Sequence, residues 1–324
     1  MRVFSGIQPS GAIHIGNYLG AIKQFLELQE KDECIFSIVD LHAITILYQT
    51  QELQKNILDA AICYLSVGIN PEKSILFVQS EVKEHTELAW LLGTFCPIGD
   101  LLRMTQYKEK SKQFKGEIGA GILNYPILMA ADILLYKTEI VPVGKDQKQH
   151  VELTRTIARK FNKQFGETFP IPKIQLPKIG AKIMALNDPR KKMSKSIPES
   201  CLYLFDEPDI IKKKIMSALT DTGKEIKYNE IKKPGISNLL TIYSLFSGKT
   251  IKELEKKFKN ANYEKFKKSL AELLINSLEP FRKKRKELLL REIYLKEILE
   301  QGRKKAKIIA QSTINEIRQK MGLI

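Results

Sequence analysis

The stretch Val3-Phe4-Ser5-Gly6-Ile7-Gln8-Pro9-Ser10-Gly11-Ala12-Ile13-His14-Ile15-Gly16-Asn17 decides how this chain folds. Val3 to Ile7 reads as a short strand and Gln8-Pro9-Ser10-Gly11 as a turn. Tyr18, Leu19, Ile22, Phe25 and Leu26 then recur at helical spacing, which sets a helix beginning near Ile15. A strand that turns tightly into a helix directs unpaired backbone N–H groups and the positive end of the helix dipole at one spot, which suits an anion. Gly11 and Gly16 would let a nucleotide approach the backbone closely, His14 could donate to a phosphate oxygen, and Asn17 could cap the helix or touch ribose or phosphate. The competing reading is a helix-capping turn with a core histidine, since glycine-rich turns are common.

The same alternation continues downstream. Cys34-Ile35-Phe36-Ser37-Ile38-Val39 is the kind of apolar run found in a buried parallel strand, and it ends at Asp40-Leu41-His42. A helical stripe (Leu53, Ile57, Leu58, Ala61, Tyr64, Leu65), a strand at Ile75-Leu76-Phe77-Val78 and a helix through Glu87 to Leu91 follow. Strand, helix, strand, helix implies an α/β fold with a doubly wound parallel sheet, its ligands expected at the carboxyl ends of the strands. A mostly helical insertion is expected at about 96–139, and Ile140 to Val143 resumes as a strand before a helix through Val151, Leu153, Ile157, Ala158 and Phe161. From about 206 the strands stop and lysine-rich helical patterns run to the end. The expected domains are therefore 1–205 α/β, 206–295 all-α, and 296–324, a final amphipathic helix whose stripe Ala306, Ile309, Ala310, Ile314, Ile317 and Met321 could pack back on other structure.

A second chemical segment, Lys191-Lys192-Met193-Ser194-Lys195-Ser196, follows Asn187-Asp188-Pro189. Its lysines could neutralise charge on a departing pyrophosphate, or form only an exposed basic loop. Charge is unevenly spread: residues 1–180 hold 20 Lys+Arg against 19 Asp+Glu, and residues 181–324 hold 33 against 18. That excess favours a polyanion partner for the second half over a merely solvated lysine surface. Cys34, Cys63, Cys96 and Cys201 are far apart and suggest neither a zinc site nor a disulfide framework. No run of 18 apolar residues exists and the N-terminus enters a strand pattern directly, so a cytoplasmic protein without a membrane span is expected.

The two segments resemble the HIGH-like and KMSKS signatures of class I aminoacyl-tRNA synthetases. Over essentially the whole chain the wording resembles the bacterial tryptophanyl branch, through Ser5 to Gly11, Met129-Ala130-Ala131-Asp132-Ile133-Leu134, Val141-Pro142-Val143-Gly144-Lys145-Asp146-Gln147 and Lys233-Pro234-Gly235-Ile236-Ser237-Asn238-Leu239-Leu240. The first signature reads His14-Ile15-Gly16-Asn17, without the second histidine of the general class pattern. The resemblance implies an ATP site lined by Gln8, Pro9, Ser10, Gly16, Asn17, Gly144, Lys145 and Asp146, with Ile183 against adenine. Lys192, Met193, Ser194, Lys195 and Ser196 would close over the phosphates. His14, Lys192, Ser194 and Lys195 are the expected catalytic groups, and Mg²⁺ would arrive with ATP rather than in a dedicated metal cage.

Tyr125, Leu128, Met129 and Asp132 fall on one helical face, which puts a carboxylate in an apolar stripe. A buried carboxylate needs a donor, and an indole N–H only donates. An Asp capping a turn or paired with a lysine is the alternative, and the resemblance assigns Asp132 to tryptophan. Phe4, Met129, Ile133 and Val143 are expected to wall the indole, with Gln147 and Tyr125 near the amino group of tryptophan and His42 facing the site. His85 and His150 are left unassigned, with a structural role expected. The implied reaction joins L-tryptophan to ATP and transfers it to tRNA(Trp), in a homodimer whose contact is the 96–139 insertion. A tyrosyl-tRNA synthetase, a small-molecule nucleotidyltransferase and a non-enzymatic RNA-binding relative are the alternatives.

Overall fold

The computed structural model describes residues 1–9, 11–108, 119–176, 183–194, 197–223 and 225–324, the side chain of Lys145 excepted. They form two compact units. One comprises Met1–Gly11, Gln24–Pro177 and Arg291–Ile324; the other comprises Ala12–Lys23 and Lys178–Leu290.

The first unit carries a five-stranded parallel sheet: β1 (Arg2–Ile7), β2 (Glu33–Ile38), β3 (Ser74–Val78), β4 (Ile140–Pro142) and β5 (Lys173–Gln175), in the order β3-β2-β1-β4-β5. The apolar run in β2 is buried from Cys34 to Ile38, as a strand covered on both faces requires. Registers such as Phe4 with Ile35 and Ile35 with Ile75 keep the apolar residues level across the sheet. Because the chain order reverses between β1 and β4, a crevice is expected beyond their carboxyl ends, where Gln8 and Val143 follow. The doubly wound α/β architecture is the expected one. β5 was not anticipated, since Lys173-Ile174-Gln175 is too short for a period to register.

Four helices of this unit supply its core or the site. They are α1 (Glu84–Gly93), α2 (Ala120–Leu135), α3 (Lys148–Phe165) and, at the end of the chain, Glu292–Lys320. The core joins Phe4, Phe77, Leu88, Leu92, Ala131, Leu134, Tyr136, Ile157 and Phe161. From the last helix Ala306, Ala310, Ile314 and Ile317 enter this core, and Ile309 and Met321 pack at its edge. That helix passes so close to β3 that a Cβ on Gly302 would lie 1.9 Å from the Leu76 carbonyl oxygen, so only glycine fits.

The second unit is helical, with long elements at Pro208–Ser217, Pro234–Ser247 and Tyr263–Leu289. Its core includes Ile211, Ile215, Leu239, Leu240, Leu270 and Leu274, all buried. Tyr243, Phe258 and Phe266 stack edge and face within it, with centroids 5.0 to 5.9 Å apart. The first signature belongs to this unit. Ile15 N–H donates to the Leu202 carbonyl at 2.9 Å, Leu204 N–H donates to the Ile13 carbonyl at 3.0 Å, and Tyr18 packs edge-on to Phe281.

Candidate active site

His14 caps the helix that starts at Ile15. The Asn17 N–H donates to His14 Nδ1 at 3.2 Å and the His14 N–H donates back to Asn17 Oδ1 at 3.3 Å, a reciprocal capping box. The capping and chemical readings of these residues are therefore compatible. With Nδ1 accepting, a neutral ring carries its proton on Nε2, which makes that atom a donor. Gly16 is required by the same arrangement, because a Cβ there would stand 2.9 Å from the His14 ring and 3.6 Å from the Ile183 side chain. Gly16 and Ile183, far apart in sequence, thus meet as neighbours.

The second signature rises from a short two-stranded arch in the same unit. Met193 N–H donates to the Ile183 carbonyl at 3.0 Å and Ala185 N–H donates to the Lys191 carbonyl at 2.8 Å, pairing Met184 with Lys192. Asn238 clamps this arch from the helix Pro234–Ser247: the Met184 N–H donates to Asn238 Oδ1 at 2.9 Å, and Asn238 Nδ2 donates to the Met184 carbonyl at 3.0 Å. Cys201 Sγ reaches the Ser194 carbonyl at 3.1 Å. Ile183 and Met193 are buried while Lys191 and Lys192 are exposed, so the arch holds its apolar residues inside and its ammonium groups outside. Asp188 pairs with Lys191 at 3.2 Å, and its hydrogen bonds to Lys191 and the Arg190 N–H lower its pKa. Ser10, Lys195 and Ser196 lie outside the described residues.

In the first unit, Pro9 is buried and Gln8 exposed beyond β1. Beyond β4, Val143 and Gly144 are half-buried and Asp146 is exposed, its Oδ2 accepting from Gln147 Nε2 at 2.7 Å. The Gln147 amide expected near a ligand amino group is thereby turned toward Asp146. Phe4 stacks on Tyr136 with centroids 5.5 Å apart and rings 10° from parallel, and Ile133 is equally buried in the core. Tyr125 donates its hydroxyl to Gln106 Oε1 at 2.7 Å and lies 2.9 Å from His150 Nε2. Burial pushes its phenol pKa up to about 12.

Asp132, on α2, is 1% exposed and is the focus of three elements. His42, from the short helix after β2, donates Nε2–H to Oδ2 at 2.7 Å. Gln79, from the turn after β3, donates Nε2–H to Oδ1 at 2.6 Å, and His85, in the first turn of α1, reaches the same oxygen through Nδ1 at 2.7 Å. Burial alone would raise the carboxyl pKa. The adjacent His42 ring and the hydrogen bonds from His42 and His85 outweigh it and hold Asp132 ionised, far below the usual carboxylate range. His42 faces the carboxylate as expected. The sequence reading missed His85 and Gln79 as its partners, although His85 shares a buried face with Leu88 and Leu92, a spacing that could have marked it. Among the described residues no three His, Cys, Asp or Glu side chains converge as a metal site, the His42–Asp132–His85 group included, because both rings turn nitrogen toward the carboxylate.

Comparison with known proteins identifies the family. The family model for tRNA synthetases class I (W and Y) matches residues 1–279. The chain is 52% identical over 325 residues to a tryptophan–tRNA ligase of Caldanaerobacter subterraneus, covering 100% of this chain and 98% of the relative. It superposes with a TM-score of 0.87 and 41% identity on a tryptophanyl-tRNA synthetase from Campylobacter jejuni complexed with ADP and tryptophan, covering 99% of this chain and 100% of that one. The tryptophanyl-tRNA synthetase of Mycoplasma pneumoniae gives a TM-score of 0.88 at 36% identity, over 99% and 97% of the two chains. With whole-length identity of this size joined to both signatures and to a buried ionised carboxylate on α2, the chain belongs to the class I aminoacyl-tRNA synthetases, in their bacterial tryptophanyl branch.

Proposed function

We propose that this chain is a tryptophan–tRNA ligase, which activates L-tryptophan with ATP and transfers it to the 3′ end of tRNA(Trp). The observation that carries the reading is Asp132: a buried carboxylate kept ionised accepts and cannot donate, and an indole N–H donates and cannot accept. A tryptophan carboxylate oxygen attacks the α-phosphorus of ATP, the bond to the β-phosphate breaks, and pyrophosphate leaves. The 2′-hydroxyl of the terminal adenosine then attacks the acyl carbon and AMP leaves. The protein supplies position and charge rather than a nucleophile.

His14 Nε2–H, Lys192, Ser194 and Lys195 are assigned to the triphosphate, with Gln8, Pro9, Ser10, Gly16, Asn17, Gly144, Lys145, Asp146, Ile183, Met193 and Ser196 completing the ATP site. The exposure of Lys192 and the donor state of His14 support these roles. Mg²⁺ would enter bound to ATP, held by phosphate oxygens. Phe4, Met129, Ile133, Val143, Tyr125, Gln147 and His42 are assigned around tryptophan with Asp132. The lysine-rich residues 206–295 suit the tRNA, whose phosphates they would neutralise. A homodimer is supported by apolar exposure near the expected insertion: Trp90 is 78%, Ile98 68% and Leu102 45% exposed. Residues 109–118 of that insertion lie outside the described residues. Among the described residues no helix is long and apolar enough to cross a membrane, which is compatible with a cytoplasmic site of action.

Pyrophosphate exchange measured with each amino acid tests the reading. Exchange with tryptophan and charging of tRNA(Trp) are expected; exchange with tyrosine and none with tryptophan would overturn it.

A further inference from the structure

Asp132 is enclosed by more polar groups than an indole contact requires. Tyr136 and His85 are fully buried and make a chain: the Tyr136 hydroxyl lies 2.7 Å from His85 Nε2, and His85 Nδ1 lies 2.7 Å from Asp132 Oδ1. An ionised carboxylate only accepts, so the His85 proton facing it sits on Nδ1. The Tyr136 phenol, whose pKa burial raises well above its ordinary value, keeps its proton and donates it to Nε2. Gln79 fills the second position on Oδ1 at 2.6 Å, its own Oε1 fixed by the Leu41 N–H at 3.2 Å. Oδ1 thus takes two protein donors, whereas Oδ2 takes His42 and keeps one acceptor position among the described residues.

A packing role alone does not explain the Tyr136 hydroxyl. Its ring stacks on Phe4 and meets Phe77 edge-on at 5.9 Å, work that a phenylalanine would do without burying an oxygen.

We propose that Tyr136 and His85 are positioning residues for amino-acid selection: with Gln79 they occupy both lone pairs of Oδ1 and so turn Oδ2 to accept one N–H from the substrate. The inference rests on the reading of Asp132 as the indole acceptor. A site built to accept that N–H discriminates against an analogue that lacks it. Loosening the chain therefore weakens discrimination specifically, not turnover in general.

The test compares tryptophan with β-(3-benzothienyl)alanine, in which sulfur replaces the indole N–H. For the wild-type enzyme, Tyr136→Phe, His85→Ala and Asp132→Asn, kcat/KM in pyrophosphate exchange is measured for both amino acids, with KM for ATP alongside. Tyr136→Phe removes one oxygen and keeps the stacked ring, so it retains the fold even if His85→Ala does not. The preference for tryptophan is expected to fall roughly fivefold in Tyr136→Phe, the order of one net hydrogen bond, with KM for ATP within about twofold. A preference unchanged in Tyr136→Phe, or equal losses for both amino acids, overturns the inference. If Asp132→Asn also keeps the preference, the reading of Asp132 itself has failed; if only Asp132→Asn abolishes it, the positioning role alone has failed. Nitrogen chemical shifts of the four histidines give a readout independent of activity. A His85 ring protonated on Nδ1 with an accepting Nε2 is expected, and a neutral ring protonated on Nε2 overturns the chain.

Discussion

The surroundings of Asp132 and the arch that carries Lys192 solve opposite problems. Around Asp132 the polar groups are buried except His42, which is half-buried, and the hydrogen bonds run between side chains from separate elements. In the arch the ordering is done by backbone pairing and by Asn238, while the ammonium groups stand in solvent. Selecting one amino acid needs an acceptor whose position does not drift, and a closed low-dielectric network supplies that. Neutralising a triphosphate, the role proposed for the second signature, needs accessible charge, and Lys191 and Lys192 are exposed. On the proposed reading, amino-acid recognition would rest on the packed network and phosphate chemistry on the exposed arch.

The largest effect that would break this contrast is expected in the second signature. Lys195→Ala should lower kcat for pyrophosphate exchange by about a hundredfold or more, the scale of losing one transition-state donor, with KM for tryptophan little changed. A comparable rise in the KM for tryptophan would mean that the two regions do not divide the work. Asp132→Ala should act conversely, raising KM for tryptophan on the order of a hundredfold while ATP binding is largely kept, because it removes a charged acceptor and strands His42, His85 and Gln79. Equal losses for both ligands in calorimetric titration would contradict it.

Asn238→Asp sharpens the comparison from the other side. It keeps the acceptor for the Met184 N–H but sets a carboxylate oxygen against the Met184 carbonyl, at a cost of about 1–3 kcal/mol. A lower melting temperature with a several-fold loss of exchange rate is expected, and a wild-type rate would show that the clamp does not organise the arch.

Acid stability tests the buried network by itself. The Asp132 pKa is depressed on folding, so its contribution is fully present above the unfolded carboxylate value of about 3.9 and is lost as pH falls from there toward the folded value. Melting temperatures between about pH 5 and 2 should fall less steeply for Asp132→Asn than for the wild type, and parallel curves would deny the coupling. The smallest expected effect is spectroscopic. Trp90 is the single tryptophan and is largely exposed in the isolated chain, so dilution of a homodimer that covers it should shift its emission to longer wavelength. An emission maximum independent of concentration down to full dissociation would place the contact elsewhere.

Much of the fold was legible because parallel strands announce themselves. Cys34 to Val39 is apolar on both faces, and Ile75 to Val78 repeats the pattern at the spacing of a strand–helix unit. β5 was not legible: three residues hold no period, and Lys173 to Gln175 is a strand only because Ile140 to Pro142 offers it a ladder. His14 was legible as a residue at a helix start, yet sequence alone left its capping and chemical roles as alternatives, and the ring geometry makes them compatible. His85 was not assigned, because 47 residues separate it from Asp132 and nothing local records which helix it will face.

The sequence by itself determined the element order apart from β5, the two signatures, the charge asymmetry and the single carboxylate within the apolar stripe of α2. These are properties of spacing along one element, where the 3.6-residue period or the two-residue alternation suffices. Tertiary structure alone decided that Asp132 is met by donors from three other elements, that Ile183 closes on Gly16, and that Asn238 holds the arch. Hydrogen bonds and van der Waals contacts act over a few ångströms in space, and only the packed chain brings residues 47 or more positions apart within that range.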